Sequence, residues 1–410
     1  MNKTAIFLLA AVASTASLAS ASNGRGADEP AQQSDSVAAD TMFSFTDIIS
    51  LPTTSVKDQN KSGTCWCFAG TSFFEDEIRK AGGDSLDLSE MFTVRHCYAD
   101  KADRYVRMYG ATNFAAGGSI LDVPYVWERY GVVPEEVYRG LNYGEDSHVH
   151  AELDAVLAAM VKAVVAKPGK RITTAWRQAV DGVLDAYLGE LPETFEYKGK
   201  TYTPQSFAKS LGLDPSNYVA MTSFTHHPFY TSFPLEVADN WLWAPYVNVP
   251  LDELQATVDN ALENGYTVVW AADVSEGGFK WDKGVAIMPK GKSEGDMDGT
   301  ELARWVKLSD KERQNKKFEF QGPVEEIEVT QESRQEMFDR QDTTDDHGME
   351  IVGKARDQKG NLYYKVKNSW NTNQVFDGFF YVSEPYFKAK TLSILVNKKA
   401  LPKEVAKKIK

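Results

Sequence analysis

Trp66, Phe68, Ala69, Phe73, Phe74 and Ile78 recur at roughly helical spacing, and a polar turn carrying Gly63 leads into them. The pattern predicts a helix starting near Cys65, followed by mainly helical structure with loops to residue 135. Two more runs of helical period, Ala151 to Ala166 and Thr173 to Leu188, are separated by Pro168-Gly169, and a weaker one follows Pro204. Leu251 to Asn264 reads as an amphipathic helix. The period then changes: Tyr266 to Val274 is a strongly apolar strand, Asp346 to Gly353 alternates in strand fashion, and Leu362 to Val366 is strand-like again. Residues 290–335 are densely charged and read as a long solvated excursion to which no chemistry is assigned. An α+β chain follows, with a helical lobe over 42–150, an inserted helical unit over 151–214, a β-rich lobe over 215–400 and a basic tail over 401–410.

Before residue 42 the pattern is of another kind. Lys3, an apolar run from Ala5 to Ala13 and the small residues Ala19-Ser20-Ala21 have the features of a secretory signal over 1–21, too short for a confident membrane span. The expectation is export to the periplasm or medium, with no stable membrane anchor; no cysteine follows the apolar run to carry a lipid. Residues 22–41, rich in Ser, Ala, Gln and Asp, read as a disordered linker. The 410 residues carry 45 basic and 58 acidic side chains, which gives no electrostatic reason to hold a polyanion, so nucleic acid is not an expected partner.

The candidate chemistry starts at Cys65. At a helix N-terminus, unpaired backbone N–H groups and the positive end of the helix dipole favour the thiolate, the nucleophilic form. Gln59, six residues upstream, brings an amide donor for an oxyanion beside the sulfur. His347, on a strand-like segment, supplies a base, and Asn368 in Asn368-Ser369-Trp370 supplies a group to orient it. Of the other cysteines, Cys67 and Cys97, the default reading is two buried thiols, with a disulfide between them left open. No metal site is expected. Cys65-x-Cys67 lacks a second ligand pair, and His226-His227 and His148-x-His150 lack partners at a motif spacing.

Gln59, Cys65-Trp66, His347 and Asn368-Ser369-Trp370 resemble the papain family of cysteine peptidases, and within it the bleomycin hydrolase and aminopeptidase C branch. Ser62 stands where papain-type enzymes have the first cysteine of Cys-Gly-Ser-Cys-Trp, as in that branch. Gly117-Gly118 and Tyr130-Gly131-Val132-Val133-Pro134 are similar as well, and the likeness runs from about residue 45 to 400. His347 and Asn368 lie 282 and 303 residues after Cys65, far beyond the usual 130 to 150, so an insertion of domain size must separate them. The resemblance implies a two-lobed papain-like fold, with a helical left lobe, a β-barrel-like right lobe and an inserted hook-like helical domain.

It also implies peptide hydrolysis through a Cys65 thioester. Trp66, Gly117 and Gly118 would lie along the substrate, Trp370 would shield the His347–Asn368 hydrogen bond, and no cofactor would be needed. Peptides would be the substrates, and a homo-oligomer, a hexameric ring in relatives, is implied. In aminopeptidases of the branch a C-terminal arm meets the substrate amine. Leu401 to Lys410 reads instead as a basic, helix-like tail. The expectation is a more open cleft with room for endopeptidase action, unless another loop takes over the arm's task. A non-catalytic peptide-binding protein and a Cys-dependent acyl transferase are the alternatives.

Overall fold

At the centre of the molecule lies a strand with no polar face. Val268–Ala272 (β7 of the thirteen strands among the described residues, numbered along the chain) reads Val-Val-Trp-Ala-Ala, and all five residues are buried. A strand covered on both faces loses the usual alternation and becomes a continuous apolar run. β7 is flanked by His347–Asp357 (β10) and Thr391–Asn397 (β13), both antiparallel to it. Outward from β10 come Leu362–Lys367 (β11), Phe379–Ser383 (β12), Val285–Ala286 (β9) and Phe279–Lys280 (β8). Outward from β13 come Tyr218–Thr222 (β4), Pro245–Asn248 (β6) and Ser232–Pro234 (β5). Phe195–Tyr197 (β2) and Lys200–Tyr202 (β3) form a separate hairpin.

The structure, a computed structural model, describes residues 42–292, 295 and 297–409. The expected signal segment and linker lie outside the described residues. From Met42 onward the chain forms one compact unit. Its first element, Phe45–Ser50 (β1), falls in the stretch read as helical lobe but belongs to the sheet. It pairs with Gly353–Asp357, the half of β10 that β7 leaves free. Most of β1 is exposed or half-buried, so its own six residues carry no clear period.

The Cys65–Lys80 helix lies across β10 and β7, burying Trp66, Phe68, Phe73, Phe74 and Ile78. Each such side chain stabilises by about 1.5–3 kcal/mol, an upper estimate because the unfolded chain is already partly collapsed. The Glu90–Arg107 and Asp122–Tyr130 helices pack against it. The expected inserted helices appear at Ala151–Val165 and Ala175–Leu188, and their buried leucines and valines join the same core as the Cys65 helix. A second core fills the other face of the sheet, including the Leu251–Glu263 helix.

Two charged stretches end up less solvated than their composition implies. Between 290 and 335 lie short helices with many exposed residues, yet Phe320 is buried and Arg334, in the Gln331–Asp339 helix, is 0% exposed. The basic tail forms the Lys403–Lys408 helix, which buries Val405 and ties Lys408 Nζ to Glu253 Oε1 at 2.5 Å.

Candidate active site

One contact brings the two ends of the chain together. Gly348 follows His347 at the start of β10, and a Cβ placed on it would lie 2.9 Å from the Trp66 Cα and 3.2 Å from its N. The helix therefore touches the strand at the residue beside its nucleophile. Replacing Gly348 with alanine must push the helix start away from His347. A displacement of about 1 Å between reacting groups can cost on the order of 100-fold. Gly348→Ala is therefore expected to lower kcat/KM by about 10- to 100-fold at nearly unchanged far-UV circular dichroism. Activity equal to wild type would show that the approach is not critical.

Ahead of the helix, the turn from Gln59 to Thr64 is held from several sides. The Gln59 N–H donates to the Ser369 carbonyl at 2.9 Å, and Lys61 exchanges backbone hydrogen bonds with the 148–150 segment. Asn60 has φ +48°, closed by its N–H donating to Asp58 Oδ1 at 2.8 Å. Gly63 has φ +66°, and a Cβ there would meet the Ala116 Cβ at 2.9 Å. The Ser369 hydroxyl donates to Gln59 Oε1 at 2.6 Å. That bond occupies the acceptor end of a buried amide and leaves Nε2 as its donor in the cavity.

His347 Nε2 lies 2.7 Å from Asn368 Oδ1. An amide oxygen can only accept, so Nε2 carries the proton and a neutral His347 keeps Nδ1 free as a base. The Ser369 N–H donates to the same Oδ1 at 2.8 Å, fixing the amide orientation. The Trp370 indole packs 4.5 Å from the imidazole, centroid to centroid, and Trp281 and Phe279 back it edge-on. Asn368 Nδ2 is buried without a partner. Such a group costs about 1–3 kcal/mol, a charge the structure carries to aim Oδ1 at the histidine.

Gln59, Cys65, Trp66, Gly117, Gly118, His347 and Trp370 all line one cavity of about 230 Å³, with Asn368 directly behind His347. All eight residues singled out in the sequence thus meet at one place. Trp66 is buried and anchored by its indole N–H to the Ala116 carbonyl at 3.0 Å, so it holds the glycine loop more than it offers a free surface. Periodicity could not reveal the remaining walls: Asp239, Tyr246 and Ser393 arrive from distant segments. Asp345, two residues before His347 and just ahead of the strand-like segment, lines the cavity as well.

Burial opposes either ion on its own. It pushes the Cys65 thiol up to about 12, helped by the negative charges of Asp345 and Asp239, while the backbone N–H groups of Gly348 and Trp66 pull the other way. It pulls the His347 imidazole down to about 4, against the Asn368 hydrogen bond and the charge of Asp346. Formed together by one proton transfer, thiolate and imidazolium neutralise each other in a site where Coulomb attraction is weakly screened.

Cys67 and Cys97 are free, buried thiols, which resolves the open disulfide. His148 and His150 are largely buried beneath the Gln59–Thr64 turn, with imidazoles pulled down to about 4 by burial. His226 and His227, read as lacking partners, do gain one: Glu236 Oε2 and Oε1 lie 3.1 and 2.8 Å from their Nε2 atoms. The Gln335 amide donates to His226 Nδ1, which places the His226 proton on Nε2, the atom a metal ion would need bare.

A family model described as the peptidase C1-like family matches residues 9–288 and 313–410. Aminopeptidase C of Lactobacillus delbrueckii subsp. lactis is 24% identical over 401 residues, spanning 88% of this chain and 83% of its own. Aminopeptidase G of the same organism is 25% identical over 393 residues, spanning 86% and 83%. The mitochondrial cysteine proteinase 1 of Saccharomyces cerevisiae is 24% identical over 418 residues, spanning 89% and 79%. Among solved structures, PepW from Lactobacillus rhamnosis superposes with a TM-score of 0.66 at 19% identity, over 91% of this chain and 86% of that one.

Proposed function

Because the chain belongs to the peptidase C1-like family of papain-like cysteine peptidases, we propose that it hydrolyses peptides through a thioester on Cys65, acting first as an aminopeptidase. One observation carries this reading: Cys65, at the mouth of its helix, shares a cavity with a histidine whose tautomer is set by Asn368. The names of the relatives support the aminopeptidase class. A second reading, cleavage within peptides, is supported by the Lys403–Lys408 helix. It is fastened to the Leu251–Glu263 helix, and among the described residues none beyond Ser393 lines the cavity.

In the proposed reaction the Cys65 Sγ proton passes to His347 Nδ1 and the thiolate attacks the scissile carbonyl carbon. The resulting oxyanion accepts from Gln59 Nε2 and the Cys65 backbone N–H. His347 gives its proton to the leaving amine as the C–N bond breaks, leaving a thioester. Water then attacks that carbonyl while His347 takes one of its protons. The C–S bond breaks, the acid leaves, and the proton returns to sulfur.

Donors preorganised for a developing oxyanion are worth about 3 kcal/mol, roughly 100- to 1,000-fold in kcat. Gln59→Ala is expected to lose that factor in kcat with little change in KM. A rise in KM alone would mean that the amide binds the ground state. Intact-mass detection of an acyl adduct on Cys65 during turnover of a slow ester substrate tests the thioester itself. Turnover with no adduct and unchanged rates in Gln59→Ala would sink the reading.

A further inference from the structure

Three acids line the cavity, Asp239, Asp345 and Asp346, and the reaction above uses none of them. Asp345 stands in the turn before β10 and Asp239 in the loop after β5, and both line the space into which Cys65 opens. Among the described residues neither joins an ion pair, and no hydrogen bond reaches the Asp345 carboxylate. Asp239 Oδ1 accepts from Asn113 Nδ2 at 2.9 Å. Its Oδ2 presses on the substrate-side glycine loop, where a Cβ on Gly117 would come within 2.0 Å of it.

The neighbours explain what is missing. Asp346 is occupied by Ser275 and Thr344, and Asp122 by Ser119 and the Trp241 indole. Lys101, the nearby cation, donates to the backbone carbonyls of Ala115 and Gly117 behind the glycine loop. Asp345 is left facing other acids: burial and the charges of Asp239, Asp346 and Asp122 push its carboxyl up to about 7. Both carboxylates also work against the thiolate, since their charge raises the Cys65 thiol. Two acids placed where they hinder the nucleophile make chemical sense if a cation arrives with the substrate. An ammonium group would offset part of that negative charge and so lessen the carboxylates' share of the penalty on the thiolate.

We propose that Asp239 and Asp345 form the subsite for the terminal α-ammonium group of the peptide substrate. The amine anchor then comes from the cavity wall, and the Lys403–Lys408 helix is free to pack against the Leu251–Glu263 helix. The inference rests on the peptidase reading of this cavity and deepens it, since it names the side chains that would select a free N-terminus. Gly117, with no side chain, leaves room for the Asp239 carboxylate to pack directly against the glycine loop.

The test compares coumarin amides of alanine, N-acetyl-alanine and N-acetyl-lysine on the wild-type chain and on Asp345→Asn and Asp239→Asn. The expected result is that the ratio of kcat/KM for alanine over N-acetyl-alanine falls at least tenfold in each variant, chiefly through KM. A ratio that stays constant, because both substrates change in parallel or neither does, overturns the proposal. So does a wild-type preference for N-acetyl-lysine over alanine, which would make the subsite one for a cationic side chain.

A second arm needs no turnover. In the Cys65→Ala background, calorimetric titration with Ala-Ala and N-acetyl-Ala-Ala is expected to show at least tenfold tighter binding of the free amine, lost on adding Asp345→Asn. Equal affinity, or no binding of either, overturns the anchor. A persisting amine preference in a chain that hydrolyses neither coumarin amide would keep the anchor and sink the peptidase reading.

Discussion

Cys65→Ala is expected to abolish peptide hydrolysis, by at least about 1,000-fold in kcat/KM, while the melting temperature stays within a few degrees of wild type. The two halves of this expectation have separate physical sources. Activity goes because neither His347 nor Gln59 can form a thioester; they only act on a nucleophile that is already present. The fold stays because Cys65 is the half-buried first residue of its helix, with its sulfur toward the cavity and not in the core. Alanine is also the best helix former, so the helix start tolerates it. Cys67→Ala, two residues on, is the natural control. That thiol is 0% exposed, with its sulfur donating to the Glu90 carbonyl at 3.3 Å, so its loss should lower stability slightly and leave turnover near wild type. Fluorogenic amides with free and blocked amines, together with a thermal melt, read both variants. Retention of a tenth or more of the activity in Cys65→Ala would remove Cys65 as the nucleophile. Loss of activity in both variants would mean that the helix start, not the sulfur, is what matters.

The catalytic constellation was legible because each member sits in a short local pattern with its own signal. A polar turn ahead of an apolar helical period marks Cys65, and a strand start and a strand end mark His347 and Asn368. Their order survives the long insertion because Cys65, His347 and Asn368 are held by the helix-on-strand contact at Gly348, not by the residues between them. What stayed hidden depends on pairing at long range. β1 has a mostly exposed surface and finds its partner in β10 some three hundred residues later, so its six residues look like loop until the sheet is built. Asp239, Tyr246 and Ser393 become walls because β13 sits next to β7 and carries β4 and β6 with it, a strand order that no local period encodes. Glu236 joins His226 and His227 across only ten and nine residues, because the chain turns back through β5. In each case the residue type was visible, and its neighbour was not.

Arg334→Met is expected to lower stability by about 3–5 kcal/mol, because three backbone carbonyls lose their donor at about 1–3 kcal/mol each before relaxation. The stretch around Arg334 reads as solvated, yet its guanidinium is fully enclosed and donates to three backbone carbonyls. Nε reaches Ser223 and Nη1 reaches Lys388, each at 2.8 Å, and Nη2 reaches Thr391. The Phe224 ring lies 4.6 Å below it, so the cation also rests on an aromatic face. Burial pulls its pKa down to about 9, still well above neutral, so it stays charged at working pH. Methionine matches its length and apolar stem but leaves those carbonyls in a dry interior, each unmade bond costing about 1–3 kcal/mol before relaxation. Lysine would keep the charge but could not reach three carbonyls on divergent lines, so Arg334→Lys should recover only part of the loss. A fall in melting temperature on the order of 5–10 °C is the expected readout, with the lysine variant between. The effect should reach the site, because Thr391 opens β13 and the next two residues, Leu392 and Ser393, are cavity wall. Loosening that end is expected to raise KM more than it lowers kcat, since Cys65 and His347 are held to each other by the helix-on-strand contact at Gly348. A melting temperature within a degree of wild type would mean that water enters to satisfy the carbonyls, and that the clamp does not hold the strand.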